Sequence, residues 1–159
     1  MPRIPPRDLS PDALTLLETE SDLYVIQPCI VRGSPSVRIS DYRILDECDE
    51  WEWMGNSIVV SFTVLNQMLP SFDSVLNALV SRLHHFSFQL ARTHDYDVHA
   101  QLEGGSVVVS IINSNGTTGE RLSIWNADCR RLIPLIFSHM SDIEAAMLSL
   151  ALEHNLSLS

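Results

Sequence analysis

Within six residues, the segment His94-Asp95-Tyr96-Asp97-Val98-His99 places two imidazoles and two carboxylates. Those are groups that ligate zinc or move protons near neutral pH. On a β-strand successive side chains alternate between faces, so Asp97, His99, Gln101 and Glu103 would share one face. Counting the strands that follow sets Ser110 and Arg121 beside His99 on that face. Asp97, His99, Ser110 and Arg121 are therefore a candidate polar patch, suited to a small polar ligand or to a small enzyme's active site. A solvated sheet face follows from the same alternation and is the simpler account.

The other concentration of chemistry is acidic. Asp46, Glu47, Asp49, Glu50 and Glu52 put five carboxylates in seven positions, interrupted by Cys48 and Trp51. Such a run steers a basic partner by raising the rate of encounter; it also suits a solvated hairpin rim. These five residues are the candidate partner-binding site. The remaining histidines offer less. His84 and His85 are adjacent in a segment read as helix, where neighbours point about 100° apart and make poor co-ligands. His139 and His154 stand near helix ends, where a dipole role suffices.

Several chemistries have no footing in the sequence. It contains no Gly-x-Ser-x-Gly elbow, His-Glu-x-x-His, Gly-x-Gly-x-x-Gly or calcium-loop pattern. Cys29, Cys48 and Cys129 lack metal-ligand or redox spacing and read as reduced thiols. All ten basic residues are Arg, so a Schiff-base Lys and a P-loop Lys are both impossible. Genome composition accounts for the missing Lys, as does avoidance of Lys modification in a eukaryotic or infected cytosol. No metal and no cofactor are expected.

The 159 residues suit one domain, read as 10–159 behind a flexible arm at 1–9. Apolar residues make up 45% and charged residues 19%, the composition of a globular chain. Ten basic against twenty acidic residues give a net charge of −10, which opposes binding to nucleic acid and anionic lipid. There is no apolar stretch of signal-peptide length and none of membrane-spanning length. A cytoplasmic location follows as an expectation, the host cytosol if the source is a pathogen.

The elements that must position these residues are read from periodicity. Ser10 and Pro11 look like the cap and first residue of a helix over 11–19, with Leu9 and Leu14 as its hydrophobic staple. Residues 23–32 read as a buried strand, with Pro28 at an edge or bulge, and 36–45 as a second strand after a turn at Gly33-Ser34-Pro35. Gly55-Asn56 signals a two-residue hairpin that gathers Trp51, Trp53, Ile58 and Val60 on one face. Phe72, Leu76, Leu79, Leu83, Phe86 and Leu90 draw a helical stripe over 71–92, behind Pro70 and a Ser71 cap; a strand over 85–90 competes.

Residues 96–125 read as a three-stranded meander. A turn at Gly104-Gly105 pairs Leu102 with Val107, Ala100 with Val109 and Val98 with Ile111. A turn at Asn115-Gly116 then pairs Val109 with Leu122 and Val107 with Ile124. Both turns give the same apolar face. Pro134 argues against a regular helix through 127–140, and Ser141 with Glu144 forms a capping box for a C-terminal helix. No internal repeat stands out.

The fold class expected is α+β: antiparallel sheet, a long central helix, a three-stranded meander, helices on one face and a C-terminal helix. That order and the acidity resemble the small dimeric chaperones of type III secretion effectors, built α-βββ-α-ββ-α. The resemblance lies in element order, without a diagnostic motif, and this chain has extra strands. The function expected is a non-enzymatic, acidic protein-interaction module (a chaperone, inhibitor, immunity or pathogen accessory protein) that binds a basic protein and forms a homodimer. A small enzyme built around Asp97, His99 and Arg121 is the alternative, and a nucleic-acid mimic the third reading.

Overall fold

The computed structural model describes residues 6, 9–44 and 51–156. In chain order these form β1 (Leu14–Glu18), β2 (Asp22–Val31), β3 (Ser34–Ile44), β4 (Trp51–Ser61), α1 (Phe62–Val80), β5 (Ser87–Arg92), β6 (Tyr96–Glu103), β7 (Ser106–Asn113), β8 (Thr118–Trp125), α2 (Asn126–Ser138) and α3 (Met140–Glu153). The strands make two four-stranded antiparallel sheets, β1-β2-β3-β4 and β5-β6-β7-β8. The fold is α+β with a C-terminal helix, as the periodicity implied. Its order, four strands and a helix, occurs twice: a repeat of architecture without a repeat of sequence. The inner faces of both sheets and all three helices contribute to one large apolar cluster, centred on residues such as Ile39, Ile58, Met68, Val98, Leu122, Leu132 and Met147.

The meander has every pair expected at both turns; nearer the second turn the register shifts between Ser110 and Ile112, so that Ile112 faces Thr118. Elsewhere the sequence reading needs correction. The expected helix at 11–19 is strand β1. Ala13 N–H donates to the Ser10 carbonyl at 3.1 Å, closing a turn. Ser and Pro suit the first turn of a helix and a β-turn equally. Pairing with β2 then buries Leu16 and Leu17. The likeness to an α-first chaperone order is lost with that helix. The next turn falls at Arg32-Gly33, one residue early, with φ of 49° and 76°. Pro28 sits beyond the reach of β1, where its missing N–H breaks no ladder.

The hairpin at Gly55-Asn56 does not form. β4 is one strand that pairs with β3 throughout, and the register jumps from Asp41↔Asn56 to Tyr42↔Trp53. Met54 and Gly55 are the surplus backbone of a bulge, a common use of a strand glycine. A single strand sends odd and even residues to opposite faces, so Trp51 and Trp53 are separated from Ile58 and Val60. Trp51 instead joins Leu23, Val25 and Tyr42 in a second apolar cluster, against which Leu9, Ala13 and Ile44 pack.

The central helix also lies earlier than its stripe suggested. Ser61 caps it by accepting from Val64 N–H at 3.1 Å, and the buried stripe is Val64, Leu65, Met68, Phe72, Val75, Ala78 and Leu79. Pro70 is inside α1, on its exposed side, where water reaches the carbonyl it frees. The chain leaves the helix at Arg82, whose φ is 55°, and residues 87–92 form β5, so the competing strand is the one adopted. Pro134 is likewise tolerated on the exposed side of α2. The Ser141–Glu144 capping box is absent: α3 begins at Met140, directly after His139, with no side-chain cap and a 60° bend from α2.

Candidate functional site

Of the acidic run, Glu52 alone falls among the described residues; Asp46, Glu47, Asp49 and Glu50, with Cys48, lie outside them. Glu52 is exposed on β4, opposite Arg43. Trp53 follows it on the other face of the strand and is 44% exposed. The Arg38 guanidinium carbon lies 4.7 Å from its ring centroid, a cation–π arrangement that holds the indole in place. Trp125, at the end of β8, is also half exposed, with Arg43 6.0 Å from its ring centroid. Two surface tryptophans, each beside an arginine, are an uncommon feature, because exposed Trp is enriched at binding hot spots.

The polar patch is assembled in part. The register sets His99, Ser110 and Arg121 in one row across β6, β7 and β8, as expected. They line an open depression with Gln101, Glu103, Ile112, Thr118 and Gly119. Asp97 lines a neighbouring depression beside Arg92, His94 and Asn113. Arg121 Nη2 reaches Glu103 Oε2 at 2.8 Å, and Gln101 Nε2 donates to Glu103 Oε1 at 2.7 Å. Glu103 thereby engages the arginine. No hydrogen bond joins His99 to Asp97 or Ser110, so a base–nucleophile pair is not preformed. The open sheet face lacks the water exclusion that strengthens catalytic electrostatics.

The most unusual chemistry lies where sequence reading did not look. Asp22 on β2 and Asp41 on β3 are 1% and 0% exposed, and their carboxyl groups flank the same arginine, Arg43. Burial, then the contact with Asp22, pushes the Asp41 carboxyl up to about 7. Arg43 Nε stands 3.4 Å from both Asp22 Oδ1 and Asp41 Oδ2. Ser21 Oγ donates to Asp22 Oδ2 at 2.9 Å. Asn56 Nδ2 donates to Asp41 Oδ2 at 3.0 Å and to the Ser123 carbonyl at 2.9 Å, while its Oδ1 accepts from Ser123 N–H at 2.7 Å.

The Asn56 amide thus stands in for a strand partner along β8, whose edge would otherwise be open there. Tyr24, completely buried, donates from its hydroxyl to Asp128 Oδ2 on α2 at 2.9 Å; burial raises its pKa. Both bonds tie the first sheet to the second half of the chain. One signal for this cluster was present in the sequence: Asp41 continues the core-facing alternation of Val37 and Ile39.

The thiols show no activation. Burial raises the pKa of Cys29 and pushes that of Cys129 up to about 12, so both favour the unreactive thiol form. Among the described residues no group of three or more His, Cys, Asp or Glu could hold a metal ion, and no single helix is long and apolar enough to cross a membrane. The cavity between α1, α2 and the sheets is wholly apolar and about 30 Å³, a packing void about the size of one water. The chain matches no protein-family model, no curated protein and no solved structure.

Proposed function

We propose that the protein is a non-enzymatic protein-interaction module, and that the start of β4 is where a basic partner docks. The observation that carries this reading is the half-exposed Trp53, fixed beside Arg38 and following the acidic run 46–52 in the chain. An aromatic anchor supplies affinity, and the neighbouring carboxylates supply rate. The openness of the face around His99, Ser110 and Arg121 supports binding over catalysis there. Leu148 and Leu152, exposed one turn apart on α3, are the apolar surface that a second copy would cover in a homodimer.

The test starts from a partner isolated by cross-linking from the source cell and measures its association with three variants. Trp53→Ala is expected to weaken the complex about tenfold or more, chiefly through faster dissociation. Replacing Asp49, Glu50 and Glu52 with Asn and Gln is expected to slow association and flatten its salt dependence. Arg121→Ala should leave both rates as they were. Binding that ignores the first two changes and responds to the third would move the site to the second sheet.

A further inference from the structure

We propose that the Asp22–Asp41 pair is a proton-operated latch on the joint between the two sheets: closed while the pair holds a proton, loosened when the proton leaves. The inference stands on the geometry of the cluster and is independent of the partner-binding reading.

Among the described residues, Asp22 Oδ1 and Asp41 Oδ1 are buried acceptors without a hydrogen-bond donor, Asp22 Oδ1 having only the 3.4 Å ion-pair contact with Arg43. Two buried carboxyl groups that share one arginine, each with an oxygen lacking a donor, are relieved by a single proton held by the pair. With that proton in place the pair carries one negative charge, which Arg43 balances from the rim. Remove it, and two buried charges face one arginine whose side chain is 43% exposed. Among the described residues, the other charged or titratable groups turned toward the pair do not relieve this. On β2 there is Tyr24, whose proton is committed to Asp128 of α2. On β4, Glu52 opposite Arg43 adds negative charge at the rim. The β1–β2 turn contributes neutral Thr19 and Ser21. The third helix, which packs on β2 and β3, buries Ile143, Met147 and Ala151, none of them titratable.

The strain of a second charge falls on Asn56. Its amide is shared between Asp41 Oδ2 and the Ser123 carbonyl, so a carboxylate pair that separates or draws in water pulls on the side chain that bonds β4 to β8. The sign follows from linkage. Asp41 holds its proton to higher pH folded than unfolded, so the stabilisation is complete below the ordinary carboxylate range and declines as pH rises to and through about 7. The joint is tighter at pH 5 than at pH 8.

The experiment is hydrogen exchange by NMR on the full chain from pH 5 to 8, comparing the Ser123 amide with that of Ala100, which lies in the second sheet away from the cluster. Ser123 exchange is expected to rise about tenfold more than Ala100 exchange by one pH unit above the midpoint. In Asp41→Asn, which cannot lose the proton, the two amides should keep a constant ratio. The wild-type aspartate carboxyl-carbon resonances give a second reading that no variant's folding can confound: one of them should titrate near neutral pH. The proposal is overturned if every aspartate titrates below pH 5, or if Ser123 tracks Ala100 throughout.

Discussion

The two four-stranded sheets share an element order and differ in how many faces they hide. In the second, β6 turns Val98 and Ala100 to the core and sends His99, Gln101 and Glu103 toward solvent. In the first, six consecutive residues of β2, Asp22 to Gln27, are all buried. One of its faces meets the main core, and the other meets the cluster of Leu23, Val25, Tyr42 and Trp51. A sheet with one wet face announces its register by alternation. A sheet covered on both sides has no such pattern, and polar residues caught inside it must find partners. Asp22, Gln27, Ser40 and Asp41 are among those residues here, and half-buried Asn56 is a partner of Asp41.

The sharpest way to separate the sheets is to remove one polar side chain from each. Asn56→Ala leaves Asp41 Oδ2 with Arg43 alone and both half-buried backbone groups of Ser123 unpaired, and is expected to cost about 2–4 kcal/mol. Arg121→Ala on the wet face removes an exposed ion pair and should cost about 0–1 kcal/mol. Urea unfolding followed by circular dichroism measures both, and equal losses would break the contrast.

A second comparison sits on α1, which packs on both sheets. Leu79→Ala should cost about 2–5 kcal/mol, the range for truncating a buried Leu. Leu83, 50% exposed beyond the end of the helix, should give less than about 1 kcal/mol. Matched melting midpoints for the two variants would place Leu83 in the core.

The smallest expected effect compares turns. The second sheet uses Gly104-Gly105, whereas the first puts Arg32 at a φ of 49°. Asn tolerates that left-handed conformation better, so Arg32→Asn should raise stability by up to about 1 kcal/mol in a thermal melt. A loss would show that the Arg32 side chain contributes more than its backbone costs.

The legible parts of the chain follow the same divide. The pairs Val98–Ile111 and Val107–Ile124 could be read directly because β6 and the second half of β8 alternate, although β7 between them is buried from Val107 to Ile111. The row His99, Ser110 and Arg121 came with them. Gly55-Asn56 misled because a hairpin and a bulge both use glycine, and only the partner strand β3, distant in sequence, decides between them. Residues 11–19 misled because Ser-Pro starts a helix or a turn with equal ease. The stripe through Leu83 and Phe86 ran two elements together, since the strand β5 happens to continue the phase of α1. Asp41 was visible by parity as a core-facing carboxylate. Its partner Asp22 was not, because a turn gave it an unremarkable neighbourhood.

The bond from Asn56 to Ser123 also bears on how the chain folds. Every strand pairs with the one before or after it, so both meanders close short loops and should form early. Asn56 and Ser123 are 67 residues apart, and Tyr24 and Asp128 are 104 apart. Contacts so far apart in sequence are therefore expected to form after the local strand pairs. Substitutions at Asn56 should speed unfolding while leaving the refolding limb of the chevron nearly unmoved, with a φ-value near zero.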